Sequence, residues 1–412
     1  MTARAKGYFR FALIIAVFAI LFNATQPAHA QSFDSGSNGS DGALNLTTPG
    51  TIEFDPTSFS PPLDPDGDNI YHFTTINIAS GVTVRLTAKR LNAPVFWLAS
   101  GTVQIDGIID LNGERGQTLQ EIIQSGSPFP SMPGAGGYPG GVAPFGGPAQ
   151  PGSGPGGGRV SGASDNGGGA GHATTGDSSL GGAAYGNPFL VPLLGGSGGG
   201  GGVNSTGGAG GGALLIASSA SITVNGTIMA NGAPNSFGNG GGGGGSGGAI
   251  RLVAPTIGGT GMIHAEGNPT SAGNGGSAGR IRLEAFQRNF TGSTNPTGVV
   301  ASPFALFLPT TPAPSVRVVS VDGQSVPPNP TGSFTVPDVS INKSTAVTVD
   351  IAASNIPPGT VVKLHVFSEN GADQIIDSLP LAGTLATSTA TASVVLPPGF
   401  SRGFVRATWA TQ

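Results

Sequence analysis

Between Gly207 and Phe286, one pattern of two interleaved sets of positions, with a period of two, is written three times with glycine between the copies. Leu214, Ile216 and Ser218 alternate with Leu215 and Ala217; Ile250, Leu252 and Ala254 with Arg251 and Val253; Ile281, Leu283 and Ala285 with Arg282 and Glu284. That period predicts half-buried strands. The first two stretches run on into a second short strand and end on paired glycines, Gly226 and Gly232, then Gly261 and Gly267. An earlier copy stands at Phe96, Leu98 and Ser100, followed by Gly107 and Gly113. The later copies start 36 and then 31 residues apart, the spacing of stacked supersecondary units.

Strand, Asn-Gly, strand is the local signature of a hairpin with a primed turn, and equally of a corner between two strands of one turn of a solenoid. Agreement between copies favours the corner. Phe96, Leu214, Ile250 and Ile281 form one expected inward column; Leu98, Ile216, Leu252 and Leu283 a second; Ile109, Ile228 and Ile263 a third. Stacking would bury like residues over like, which no single copy achieves alone. The expected fold is therefore all-β: a parallel β-helix (β-solenoid) over residues 51–308, preceded by a polar leader at 31–50.

A glycine-rich insertion at about 114–212 interrupts that domain. From Gly134 to Gly212, 33 of 79 residues are glycine, with apolar islands at Phe145, Tyr185 and 189–194. Two readings stay open: a flexible tether, or a cover over the outward positions Trp97 and Leu215. A Pro/Thr linker at 309–314 leads to a second alternating region, with Val347, Val349 and Ile351, then Val362, Leu364 and Val366, then Val405, Ala407 and Trp409. Short strands punctuated by proline predict a small immunoglobulin-like β-sandwich over 315–412.

Composition adds compartment and exclusions. Arg4, Lys6 and Arg10, an apolar run from Phe11 to Phe22, and Ala28-His29-Ala30 read as a signal peptide over 1–30, so an exported, extracellular or cell-surface protein is expected, with no membrane span after signal removal. The formal charge is −4, and loss of the leader makes it about −7, which argues against nucleic acid as partner. With no cysteine there is no disulfide, thiolate metal site or cysteine nucleophile.

Candidate chemistry is sparse. Gly-x-Ser-x-Gly surrounds Ser197, Ser246 and Ser277, but no helix pattern follows to build a nucleophile elbow, so no catalytic residue is assigned. Asp64, Asp66 and Asp68 flank Gly67 and could converge on a calcium ion or form a solvated acidic turn. Arg251 and Arg282 occupy equivalent outward positions, ~4.8 Å apart if rungs stack directly. They are the candidate binding pair for an anionic partner, unless Glu284 or Glu266 neutralises them.

The glycine-bounded strands at 211–217 and 247–253 resemble the rungs of pectin-lyase-like and haemagglutinin-like β-helices. The whole chain resembles glycine-rich exported bacterial proteins of no assigned function, from which no functional residue carries over. The resemblance implies fold and compartment. The leading expectation is a structural or adhesive protein that binds extracellular polysaccharide or a surface protein without catalysis. The alternatives are a lyase or glycosidase acting on polysaccharide, by analogy of fold, and a calcium-stabilised adhesin.

Overall fold

The computed structural model describes residues 31–409 except 66, 92, 126–127, 143–148, 161–165, 204, 235–240, 269–273, 310–313, 328–329, 331–336 and 369–373. The signal peptide, Asp66, Phe145 and most of the Pro/Thr linker fall outside these residues. The first part contains β1 (Gly42–Leu46), β2 (Gly50–Glu53), β3 (Ile70–Ile78), β4 (Val82–Arg85), β5 (Val95–Ala99), β6 (Val103–Ile105) and β7 (Ile108–Asp110). A short helix, α1 (Leu119–Ser125), follows. Then come β8 (Ala213–Ser218), β9 (Ser221–Val224), β10 (Thr227–Met229), β11 (Ala249–Gly259), β12 (Met262–His264), β13 (Arg280–Phe290), β14 (Ser293–Asn295) and β15 (Val299–Ala301). Two of these strands, β1 and the start of β2, lie inside the stretch expected to be a polar leader.

The strands form a nine-stranded and a six-stranded sheet, both parallel. The six-stranded sheet runs β14-β12-β10-β7-β4-β2. In the nine-stranded sheet the pairing closes on itself. The first half of β3 pairs with β5 and its second half with β6; the first half of β11 pairs with β8 and its second half with β9. With β5 on β8 and β6 on β9, six parallel strands make a closed ring. This closed six-strand arrangement with separate sheets around it overturns the expected parallel β-helix of equal rungs. The physical reason is that β3 and β11 run unbroken where Ser100-Gly101-Thr102 and Ser219-Ala220 interrupt the neighbouring passes.

Register corrects two expected columns as well, since Phe96 drops out of the first and Leu98, which pairs with Ala217 and not Ile216, out of the second. Leu214 pairs with Ile250 and Ile250 with Ile281, but Leu214 faces Val95, while Phe96 pairs with Leu215. Trp97, not Phe96, therefore points into the main core, where it is fully buried beside Phe54 and Phe73. A one-residue slip sends every side chain of a strand to the opposite face. Four consecutive bulky residues at 95–98 hide that choice from a period-two reading. The column Ile109, Ile228, Ile263 is in register as expected.

The glycine-rich segments are neither strands nor loose loops. Gly207, Gly210 and Ala213 donate to Gly141, Tyr138 and Ala135; Gly208 and Gly211 to Gly243 and Ser246; Ala209 and Gly212 to Glu114 and Leu111. Every third amide thus meets the same neighbour, so one segment is bonded laterally to three others. Three residues per turn without internal hydrogen bonds is the geometry of a polyproline II helix. The same period recurs from Gly198 to Gly201 and from Gly243 to Gly248. A Cβ on Gly210 would stand 1.9 Å from the Gly196 carbonyl oxygen, and one on Gly243 1.8 Å from that of Gly168. Only glycine permits this approach. Most of the insertion is therefore an ordered layer of polyglycine helices, its amides satisfied by neighbouring segments.

The outer face of the nine-stranded sheet, carrying Phe96, Leu98, Leu215 and Val253, is covered by Leu190 and Leu193 from the insertion. Leu306 and Leu308 also pack there, a cover the alternation pattern does not reveal.

Beyond the linker stand β16 (Ser315–Val321), β17 (Gln324–Ser325), β18 (Val347–Ser354), β19 (Val361–Ser368), β20 (Gln374–Pro380), β21 (Ala382–Gly383), β22 (Ser388–Val394) and β23 (Ser401–Ala407). They make a five-stranded and a three-stranded antiparallel sheet. The two share one core built from Val349 and Ile351 of β18, Leu364 and Val366 of β19, and Ala392 of β22.

Candidate functional site

Arg251 on β11 and Arg282 on β13 are register partners, as their equivalent positions in the pattern require. Both are buried, at 0% and 5% exposure, against Glu284, also at 0%. Arg251 donates through Nε at 2.9 Å and Nη2 at 3.2 Å to the two carboxylate oxygens of Glu284. Arg282 Nε donates to Oε1 of the same carboxylate at 2.6 Å, and its Nη1 to the Pro188 carbonyl at 3.3 Å. Glu284 sits two residues after Arg282 on the same strand, so the period of two puts both on one face beside Arg251 of the next strand.

Aromatic rings close the cluster from outside. The guanidinium of Arg251 lies 4.5 Å from the centroid of Phe304, and that of Arg282 lies 5.2 Å from Phe189 and 5.4 Å from Phe304. Two cations share one carboxylate, which leaves a net positive charge beneath the rings. The lining was half legible: Arg251, Arg282 and Glu284 follow from alternation, whereas Phe189 and Phe304 come from segments with no repeat pattern.

The three Gly-x-Ser-x-Gly serines lie inside the glycine layer. Ser197 Oγ accepts from the Gly156 amide at 3.0 Å and donates to the Tyr185 hydroxyl at 3.1 Å. Ser246 Oγ accepts from the Ser197 amide at 2.8 Å, and Ser277 Oγ from the His172 amide at 2.7 Å. The His172 ring stacks on Tyr185 at 4.6 Å, with Nδ1 2.7 Å from the Gly247 carbonyl. Burial pushes the His172 pKa down to about 4 and raises that of the Tyr185 hydroxyl. These hydroxyls act as side-chain partners for amides of the glycine layer. A neutral buried imidazole in hydrogen-bond contact with a carbonyl completes the same network.

The acidic loop is held by its own backbone. Asp64 accepts from the amides of Asp68 at 3.0 Å and Asn69 at 2.8 Å, and Asp68 from that of Ile70 at 2.8 Å. Asp41 accepts from the His72 amide at 2.6 Å and lines, with Asp64 and His72, an open depression of about 430 Å³. Among the described residues, no group of three or more His, Cys, Asp or Glu side chains is arranged to hold a metal ion. Burial, followed by the charges of Asp64, Asp41, Asp68 and Asp55, raises the pKa of the Tyr71 phenol.

No helix among the described residues is long and apolar enough to cross a membrane. Comparison with protein-family models, with curated proteins and with solved structures returns no match to this chain.

Proposed function

We propose that this is an exported structural or adhesive protein that contacts neighbouring surface components or extracellular polymers without chemical turnover. The observation that carries this reading is the polyglycine layer. Its inner segments at 198–201, 207–213 and 243–248 are each locked to three neighbours by backbone hydrogen bonds, and the hydroxyl and imidazole groups that could have served chemistry are spent inside it. Such a layer supplies rigidity without disulfides, in a chain that has no cysteine.

The test is fractionation of the producing cell, followed by co-sedimentation of the purified mature chain with cell envelopes and with insoluble polysaccharides. Recovery outside the cytoplasm and retention on envelopes support the reading. Cytoplasmic retention, or release of new reducing or unsaturated chain ends from a polysaccharide panel, removes it.

A further inference from the structure

Phe189, Phe304 and Phe307 form an aromatic strip above the buried arginine cluster. Phe189 and Phe307 are 58% and 63% exposed, an uncommon placement for rings of that size. The centroids of Phe189 and Phe304 are 6.4 Å apart, as are those of Phe304 and Phe307. Beneath them, two guanidinium groups share the single carboxylate of Glu284. Arg280, two residues before Arg282, donates to the carbonyls of Ala173 at 3.4 Å and Tyr185 at 3.1 Å rather than to a carboxylate, and adds positive charge to the same side.

We infer that this strip is a docking site for an acidic polypeptide segment bearing apolar side chains. Charge decides the sign of the partner: the low-dielectric surroundings of the cluster screen it weakly, so its field at the strip favours carboxylates and repels ammonium groups. The inner face of Phe304 is already committed to a cation, which disfavours a second one on the outside. Ring geometry decides the class. The planes of Phe189 and Phe304 meet at 82° and those of Phe304 and Phe307 at 51°, so the rings offer notches rather than a continuous flat platform. Notches accept branched side chains, whereas a polymer laid flat across several rings at once is served by a continuous platform, which these tilted rings do not offer. The strip is also preorganised, because the arginines that hold the rings are themselves fixed by Glu284.

This inference rests on the proposed contact function and names its partner class. The probe is a short fluorescent peptide alternating leucine with aspartate and glutamate, compared with the same peptide carrying asparagine and glutamine, and with one carrying lysine. The full mature chain is expected to bind the acidic peptide several-fold more tightly than the amide peptide and the lysine peptide least, with the preference shrinking as salt rises. Phe189→Ala and Phe307→Ala each weaken binding roughly three- to tenfold, and Phe307→Trp retains it. Both rings are exposed, so unchanged melting curves confirm that the variants fold. Equal affinity for the three peptides, no peptide binding, unchanged affinity in both alanine variants, or preference for an oligouronate or single-stranded DNA overturns the inference. Envelope co-sedimentation of the wild type, scored separately, decides whether the broader function survives that failure.

Discussion

Replacing Gly210 by alanine tests the polyglycine layer directly. The added methyl would lie 1.9 Å from the Gly196 carbonyl oxygen and 2.2 Å from its carbon, against ordinary contacts of about 3.5 Å, so the two segments must part by roughly 1.5 Å. They are joined by Gly196 N–H to Gly211 O at 2.8 Å and Gly199 N–H to Gly208 O at 2.9 Å. Separation on that scale breaks both bonds. Breaking a buried bond so that its groups are left unpaired costs about 1–3 kcal/mol. For the two bonds a destabilisation of roughly 2–6 kcal/mol follows, a large part of the ~5–15 kcal/mol that holds a domain together. Gly258→Ala is the control, because its methyl meets only the Asn289 Cβ, at 3.7 Å. That change should be neutral or slightly stabilising, since alanine restricts the unfolded chain. Urea unfolding followed by far-ultraviolet circular dichroism separates the two. If Gly210→Ala unfolds at the same midpoint as Gly258→Ala, the layer is not packed as described and the reasoning fails.

Three further outcomes are expected. Glu284→Gln leaves the buried guanidinium groups of Arg251 and Arg282 without their carboxylate and should destabilise by about 3–5 kcal/mol in denaturant titration, whereas changing all three to apolar residues should recover most of that loss. His172 binds its proton near pH 4 when folded and near 6.5 when unfolded, so its contribution is intact above pH 6.5 and is lost as pH falls from 6.5 towards 4, to a limit of about 3 kcal/mol. His172→Phe should flatten that part of the melting-temperature profile, the remaining slope coming from His365, whose pKa burial also lowers to about 4; an unchanged profile would contradict the burial of His172. Trp97 is 0% exposed and Trp409 38%, so Trp409→Phe should leave blue-shifted emission resistant to iodide, a result that strong quenching would exclude.

Much of the strand content was legible in the chain because β8, β11 and β13 repeat a period of two over bounded stretches, but the half-burial read from it was not, since β8 is buried at all six positions beneath a cover. The pairing of Arg251 with Arg282 was legible for the same reason, since equivalent positions in successive copies meet in register. Where all residues are bulky, as from Val95 to Leu98, alternation carries no phase, and Phe96 was assigned the face that Trp97 occupies. The candidate site was legible only where it lies on strands; Phe189, Phe304 and Phe307 sit in irregular segments whose destination depends on what they cover.

By itself, the sequence determined that the chain is all-β, that apolar columns such as Ile109, Ile228 and Ile263 recur, and that Arg251, Arg282 and Glu284 share one part of the repeat. These are local consequences of period and spacing. Only the tertiary structure decided that the strand pairing closes into a ring, that the glycine runs are hydrogen-bonded helices rather than tethers, and that the arginines face a carboxylate beneath aromatic rings. A glycine carries no side chain to record its neighbours, so its place is set by backbone bonds to segments far along the chain, and composition cannot register those bonds.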